Sequence, residues 1–198
     1  MLTSRASLFP GILTGAALVL AIASSARATS VPDMDLRALV DGSPSIVHGS
    51  VISTRCRWNE DRSLIVTDVR VRVMDAIRGG GVSEIEFTQP GGVVGKLVVE
   101  VPGASAFRSG DEAVFFLAPD AWGRLCLNGL SRGCFAVLPD PVTGQKTVRG
   151  LPLEGMTAAG WIGAAGPPGA AMGSVPLHRF LGDLRILVED AVGGGGRK

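Results

Sequence analysis

Ile65-Val66-Thr67-Asp68-Val69-Arg70-Val71-Arg72-Val73-Met74-Asp75-Ala76-Ile77 carries the clearest pattern in the chain. Ile65, Thr67, Val69, Val71 and Val73 alternate with Asp68, Arg70 and Arg72. A period of two sends the first set to one face of a strand and the second set to the other. Gly79-Gly80-Gly81 stops the run. Its length is that of a bent strand shared between two regions of a sheet.

Upstream, Ile46-Val47-His48-Gly49-Ser50-Val51-Ile52 reads as a first strand. Before it, residues 33–41 place Leu36, Leu39 and Val40 at helical spacing, behind an acidic residue able to cap and ahead of Gly42 and Pro44. A helix so short is held by packing rather than by propensity. Downstream, strands are expected at Glu84–Thr88, Lys96–Val101, Ala113–Leu117, Gly123–Asn128 and Gly133–Leu138. Turns at Gln89-Pro90-Gly91-Gly92, Pro102-Gly103 and Ser109-Gly110-Asp111-Glu112 separate the first of these. Short strands joined by glycine-rich turns argue for an all-β sandwich or barrel. After Gly150 the pattern dissolves into Gly, Ala and Pro, which marks residues 151–173 as a linker. A last helix is expected over 174–192, with Leu177, Phe180, Leu181, Leu184, Leu187, Val188 and Ala191 on one stripe. Residues 193–198 read as a frayed tail. The stripe is expected to pack on the β-domain spanning residues 29–150.

The first 28 residues have the parts of a cleavable signal peptide: Arg5, an apolar run from Leu8 to Ile22, then Ala26-Arg27-Ala28 before Thr29. Pro10, Gly11 and Gly15 interrupt the apolar run, which falls short of the ~20 residues of a bilayer span. The reading is therefore an exported chain, periplasmic or extracellular, without a stable membrane anchor. Cleavage would remove Arg5 and Arg27 and no acidic residue, moving the formal charge from +1 to −1. A near-neutral domain has no electrostatic footprint for nucleic acid.

Export makes a disulfide plausible. If residues 124–128 and 132–136 form a hairpin about Leu130, Cys126 and Cys134 stand opposite each other and can bridge, leaving Cys56 over.

The order of motifs is distinctive. Leu39-Val40 leads into Ile46-Val47-His48-Gly49-Ser50-Val51, and Ile65-Val66-Thr67 opens the long strand that closes on Ile77-Arg78-Gly79. Gln89-Pro90-Gly91-Gly92, Val101-Pro102-Gly103, Phe107 with Ser109-Gly110-Asp111-Glu112, Val114-Phe115-Phe116-Leu117 and Gly129-Leu130-Ser131-Arg132-Gly133-Cys134-Phe135 follow. This resembles a family of exported bacterial proteins, themselves uncharacterised, over residues 36–138 and the C-terminal helix. More distantly it resembles the OB-like barrel of netrin modules and tissue metalloproteinase inhibitors. That resemblance implies an OB-like small β-barrel, although the chain lacks the N-terminal cysteine pair with which such inhibitors chelate zinc. With the two helices read from spacing, the expected fold is mainly β, an OB-like small barrel with a short N-terminal helix and a C-terminal amphipathic helix.

Catalytic patterns fail one by one. Thiol catalysis needs a histidine beside a cysteine, and only His48 and His178 exist, one in a strand and one beyond the linker. The cysteines and histidines lack zinc-ligand spacing. Gly91-Gly92-Val93-Val94-Gly95 is no phosphate loop, since strands rather than a helix flank it. Glu84 and Glu86 alternate with Ile85 and Phe87, the signature of a solvated strand face. No catalytic residue, metal or cofactor is expected. The most informative polar set is Arg55, Arg57, Arg70 and Arg72: pairing of 50–58 with 65–73 would gather them near Trp58, on a face that OB folds use for ligands. A salt-bridged surface explains the same residues. The functional expectation is a non-enzymatic binding module for an envelope or extracellular protein or polysaccharide. The alternatives are a protease-associated or inhibitor-like module, and a hydrolase with an unrecognised site.

Overall fold

Leu36–Asp41 forms α1, whose N-terminus is capped by Asp35: its carboxylate accepts from the Ala38 N–H. Two long strands follow, β1 (Ser45–Trp58) and β2 (Ile65–Arg78), then β3 (Glu84–Pro90). The short strands β4 (Gly92–Val94) and β5 (Leu97–Val99) make a separate hairpin. After them come β6 (Glu112–Pro119), β7 (Leu125–Leu127), a 3₁₀ turn (Leu130–Gly133), β8 (Cys134–Pro139), β9 (Lys146–Arg149), β10 (Val175–Pro176) and α2 (Leu177–Gly193). The computed structural model describes residues 35–149 and 175–193. The expected signal segment (1–28), the 151–173 linker and residues 194–198 of the tail lie outside the described residues.

The main sheet is antiparallel and eight-stranded, in the order β10-β9-β8-β6-β1-β2-β3, with β7 also paired to β6. β6 lies at its centre and is buried on both sides, which is why Ala113-Val114-Phe115-Phe116-Leu117 is a continuous apolar run. Val114 and Phe116 point to the face covered by the helices, together with Ile46, Phe135, Val137 and Val148. Leu36, Leu39 and Val40 of α1 and Leu177, Phe180, Leu181 and Leu184 of α2 seal that face. The C-terminal stripe therefore packs on the sheet, as its spacing implied. On the opposite, inner face Val47, Val51, Val69, Val71, Phe87, Ala113, Phe115, Leu117 and Leu127 form a second core.

The barrel expected from the sequence is not closed. β1 carries register shifts between Ile46 and Val47, between His48 and Gly49, and between Val51 and Ser53, and such irregularities increase coiling. β3 curls back against β7, yet no ladder joins the two among the described residues. β7 pairs over only three residues, and β3 ends at Pro90, which has no N–H to offer.

The expected Cys126–Cys134 hairpin is also corrected. β7 and β8 do not pair with each other; both run along the same edge of β6, end to end. Cys126 faces Ala118 and Cys134 faces Phe115. Three positions along a strand span roughly 10 Å and reverse the side-chain face, beyond the reach of a disulfide. The interruption comes from Gly129 (φ 74°) and Leu130 (φ 58°), whose left-handed backbone turns the chain out into the 3₁₀ turn. Cys56, Cys126 and Cys134 are all free thiols.

Candidate functional site: a groove at the open end of the inner face

Register builds the site. On the inner face Thr54, Val69 and Phe87 form one row across β1, β2 and β3. The next row in register is Cys56, Thr67 and Gln89. Between these two rows the face changes from apolar core to polar groups. Phe87, Phe107 and Phe115 mark the end of the core, with ring centroids 5.5–5.8 Å apart.

Beyond them lies a groove of about 690 Å³. Its floor is Thr54, Cys56, Thr67 and Gln89; the β4–β5 hairpin supplies Val93, Val98 and Val99, and the following loop supplies Val101, Pro102 and Phe107. Val93 and Val98 are more than half exposed. A volume of this size, mostly apolar walls and few polar groups are the usual properties of a small-molecule seat.

The polar floor is ordered. Thr67 Oγ1 donates to the Gly91 carbonyl at 2.7 Å. With that proton committed, the 3.3 Å contact between Cys56 Sγ and Thr67 Oγ1 is a thiol donating to the hydroxyl oxygen. Gln89 is 6% exposed, and its Nε2 donates to the Ser105 carbonyl. Its Oε1 is buried without a hydrogen-bond partner. Stranding such an acceptor costs about 1–3 kcal/mol, a cost that core packing alone does not explain. Gly92, with φ of 137°, passes so close to the floor that a β-carbon there would sit 2.6 Å from Thr67 Oγ1 and 2.7 Å from Cys56 Sγ.

The four arginines expected to form a site do share one face, the outer one. Arg55 pairs in register with Asp68, Arg57 with Val66, Arg70 with Ser53 and Arg72 with Ser50. They do not form an open cationic patch. Arg57 holds Asp68 through both Nε (2.5 Å) and Nη2 (3.0 Å), Thr88 Oγ1 donates to the same carboxylate, and Arg70 meets Glu84 at 2.8 Å. Trp58 does not join them: opposite Ile65, it lies on the inner side of the ribbon. Parity along β1 separates Trp58 from Arg55 and Arg57.

A second polar cluster was not foreseen. His48 Nε2 meets Glu112 Oε1 at 2.8 Å, and Lys146 Nζ donates to both Glu112 oxygens at 2.8 Å. Burial pushes the Glu112 carboxyl up, but hydrogen bonds from Lys146 and His48 and their charges outweigh it and hold the group below its ordinary value. Among the described residues no hydroxyl or thiol is shown bonded to His48; the cluster links β1, β6 and β9. Cys134 sits beside a second hollow of about 600 Å³ on the far side of Phe107. Burial, with Asp111 nearby, pushes that thiol up to about 12, which keeps it protonated near neutrality.

Among the described residues no group of three or more His, Cys, Asp or Glu side chains is arranged to hold a metal ion. No helix among them is long and apolar enough to cross a membrane. The groove was missed in the sequence because its floor comes from three strands and is defined only by register. Gln89, an amide two positions after Phe87 on an inward-pointing phase, was the one local signal. No family model matches the chain, and no curated protein and no solved structure matches it either.

Proposed function

We propose that the chain is an exported, non-enzymatic binding module that seats its ligand in the groove over Cys56, Thr67 and Gln89. One observation carries this reading: an apolar groove of about 690 Å³ is lined by Gln89, whose amide oxygen is buried and unpartnered among the described residues. The export half rests on the signal-peptide pattern of residues 1–28 and on the resemblance to exported bacterial proteins. The curl of β1, β2 and β3 toward β7 supports an OB-like description of the β-domain. In OB folds the corresponding face and its adjoining loops are where ligands bind. The ligand would come from the envelope or the exterior. The groove favours an apolar group over a polysaccharide, since Phe107 is the one aromatic ring among its described lining residues.

The test uses N-phenyl-1-naphthylamine, a neutral dye that fluoresces in apolar surroundings. Saturable, one-to-one binding by the full chain is expected. Val98→Arg should abolish it, because Val98 lines the groove while 61% exposed, so its replacement leaves the core intact. Dye binding that is unsaturable, or unchanged in Val98→Arg, would sink the reading.

A further inference from the structure

Gln89 narrows the choice of ligand. Its Nε2 is committed to the Ser105 carbonyl, so what the side chain has left to offer is an acceptor, Oε1. Gln89 lines the groove, and its oxygen is buried there with no partner among the described residues. Two other floor groups are already spent: the Cys56 proton on Thr67, and the Thr67 proton on Gly91, while the Thr54 hydroxyl stands at the exposed edge of the floor. The walls are valine and proline, and the charged side chain among the described lining residues is Glu100, exposed at the rim. The groove thus asks for a hydrocarbon group with a donor at one end. It disfavours an anion, which would bring only acceptors to Gln89 and be repelled by Glu100. A buried cation would need a counter-charge that the floor does not have.

We propose that the groove binds a neutral amide on a hydrocarbon tail: the amide N–H donates to Gln89 Oε1, and the tail lies along Val93, Val98, Val99 and Val101. This rests on the binding reading above and specifies the ligand class. Cys56 reports occupancy directly, since its sulfur lines the same floor. Cys134, whose thiol burial pushes up to about 12, lies outside this groove and serves as an internal reference expected to label more slowly.

The experiment follows iodoacetamide labelling of Cys56 in the full chain by peptide mass spectrometry, against increasing octanamide or octanoate. Octanamide is expected to protect Cys56 at concentrations about tenfold lower than octanoate, the effect of one additional hydrogen bond. In Gln89→Met, which keeps the length and apolar volume, that difference should vanish while protection by the tail persists. Equal protection by the two probes in the wild-type chain would overturn the ligand class and leave the groove reading standing. A tenfold preference that survives in Gln89→Met would overturn Gln89 as the acceptor. No protection by either probe would overturn both.

Discussion

The two faces of the main sheet are built from the same strands and end differently. The helix-covered face is closed by α1 and α2, with Phe116, Phe135 and Phe180 in sequence at ring separations of 5.2–5.5 Å. Among the described residues no helix covers the inner face. It is sealed by its own curvature as far as Phe87 and Phe115, and then opens onto Cys56, Thr67 and Gln89. A face covered by a separate element can be apolar along its whole length. A face covered by curling runs out of cover where the curl stops, and there polar side chains and a groove take over.

The largest expected effect tests the sealed face. Phe180→Ala empties a fully buried site against Phe135 and should cost about 3–5 kcal/mol in urea unfolding. If α2 were only loosely attached, the loss would be a fraction of that, and the contrast between the faces would fail.

On the open side, Gly92→Ala should cost about 1–3 kcal/mol, from a methyl forced onto Thr67 and Cys56 in a left-handed backbone. It should also slow Cys56 labelling by filling the floor. A variant as stable as the parent would show that the hairpin bearing β4 can lift away.

A smaller effect concerns the tie of His48, Glu112 and Lys146 among β1, β6 and β9. Glu112 has a depressed folded-state value, so its contribution is fully present above the unfolded carboxylate value of ~4.3 and is lost as pH falls through the folded value. Lys146→Met should weaken the fold by about 1 kcal/mol or less near neutrality and flatten the loss of stability on acidification below ~pH 4.3. A pH profile identical to the parent's would remove Lys146 as the cause.

Smallest of all, Gln89→Met should change stability by less than about 1 kcal/mol, because the lost bond to Ser105 is offset by relief of the stranded oxygen. A large loss would make Gln89 a structural strut rather than part of a seat.

The legible part of this molecule was the part written in local periodicity. The alternation of Ile65–Ile77 and the stripe on α2 each name their own face, and the unbroken run at Ala113–Leu117 marks a strand buried on both. What sequence alone misread depends on which strand lies beside which. Cys126 and Cys134 sit symmetrically about Leu130 in the chain, but the left-handed turn at Gly129 and Leu130 lays them end to end on β6 instead of opposite each other. The four arginines share one face, as expected, because both their strands were identified and the register followed, but they do not gather near Trp58. Trp58 was misplaced by one step of parity. β4 and β9, with three and four residues, are too short to show a period and went unseen.

The place of β1 in the sheet has a consequence for how the chain reaches this structure. Its neighbour β2 follows within a few residues, but its other neighbour is distant: His48 meets Glu112 across 64 positions. The β1–β2 ribbon can assemble early and locally, while its second edge stays unpaired until β6 has been made and brought back. During that interval the Ile46–Val51 edge is a template for any other extended chain, including another copy of itself. Folding speed at β6 therefore sets how long this protein is exposed to mispairing.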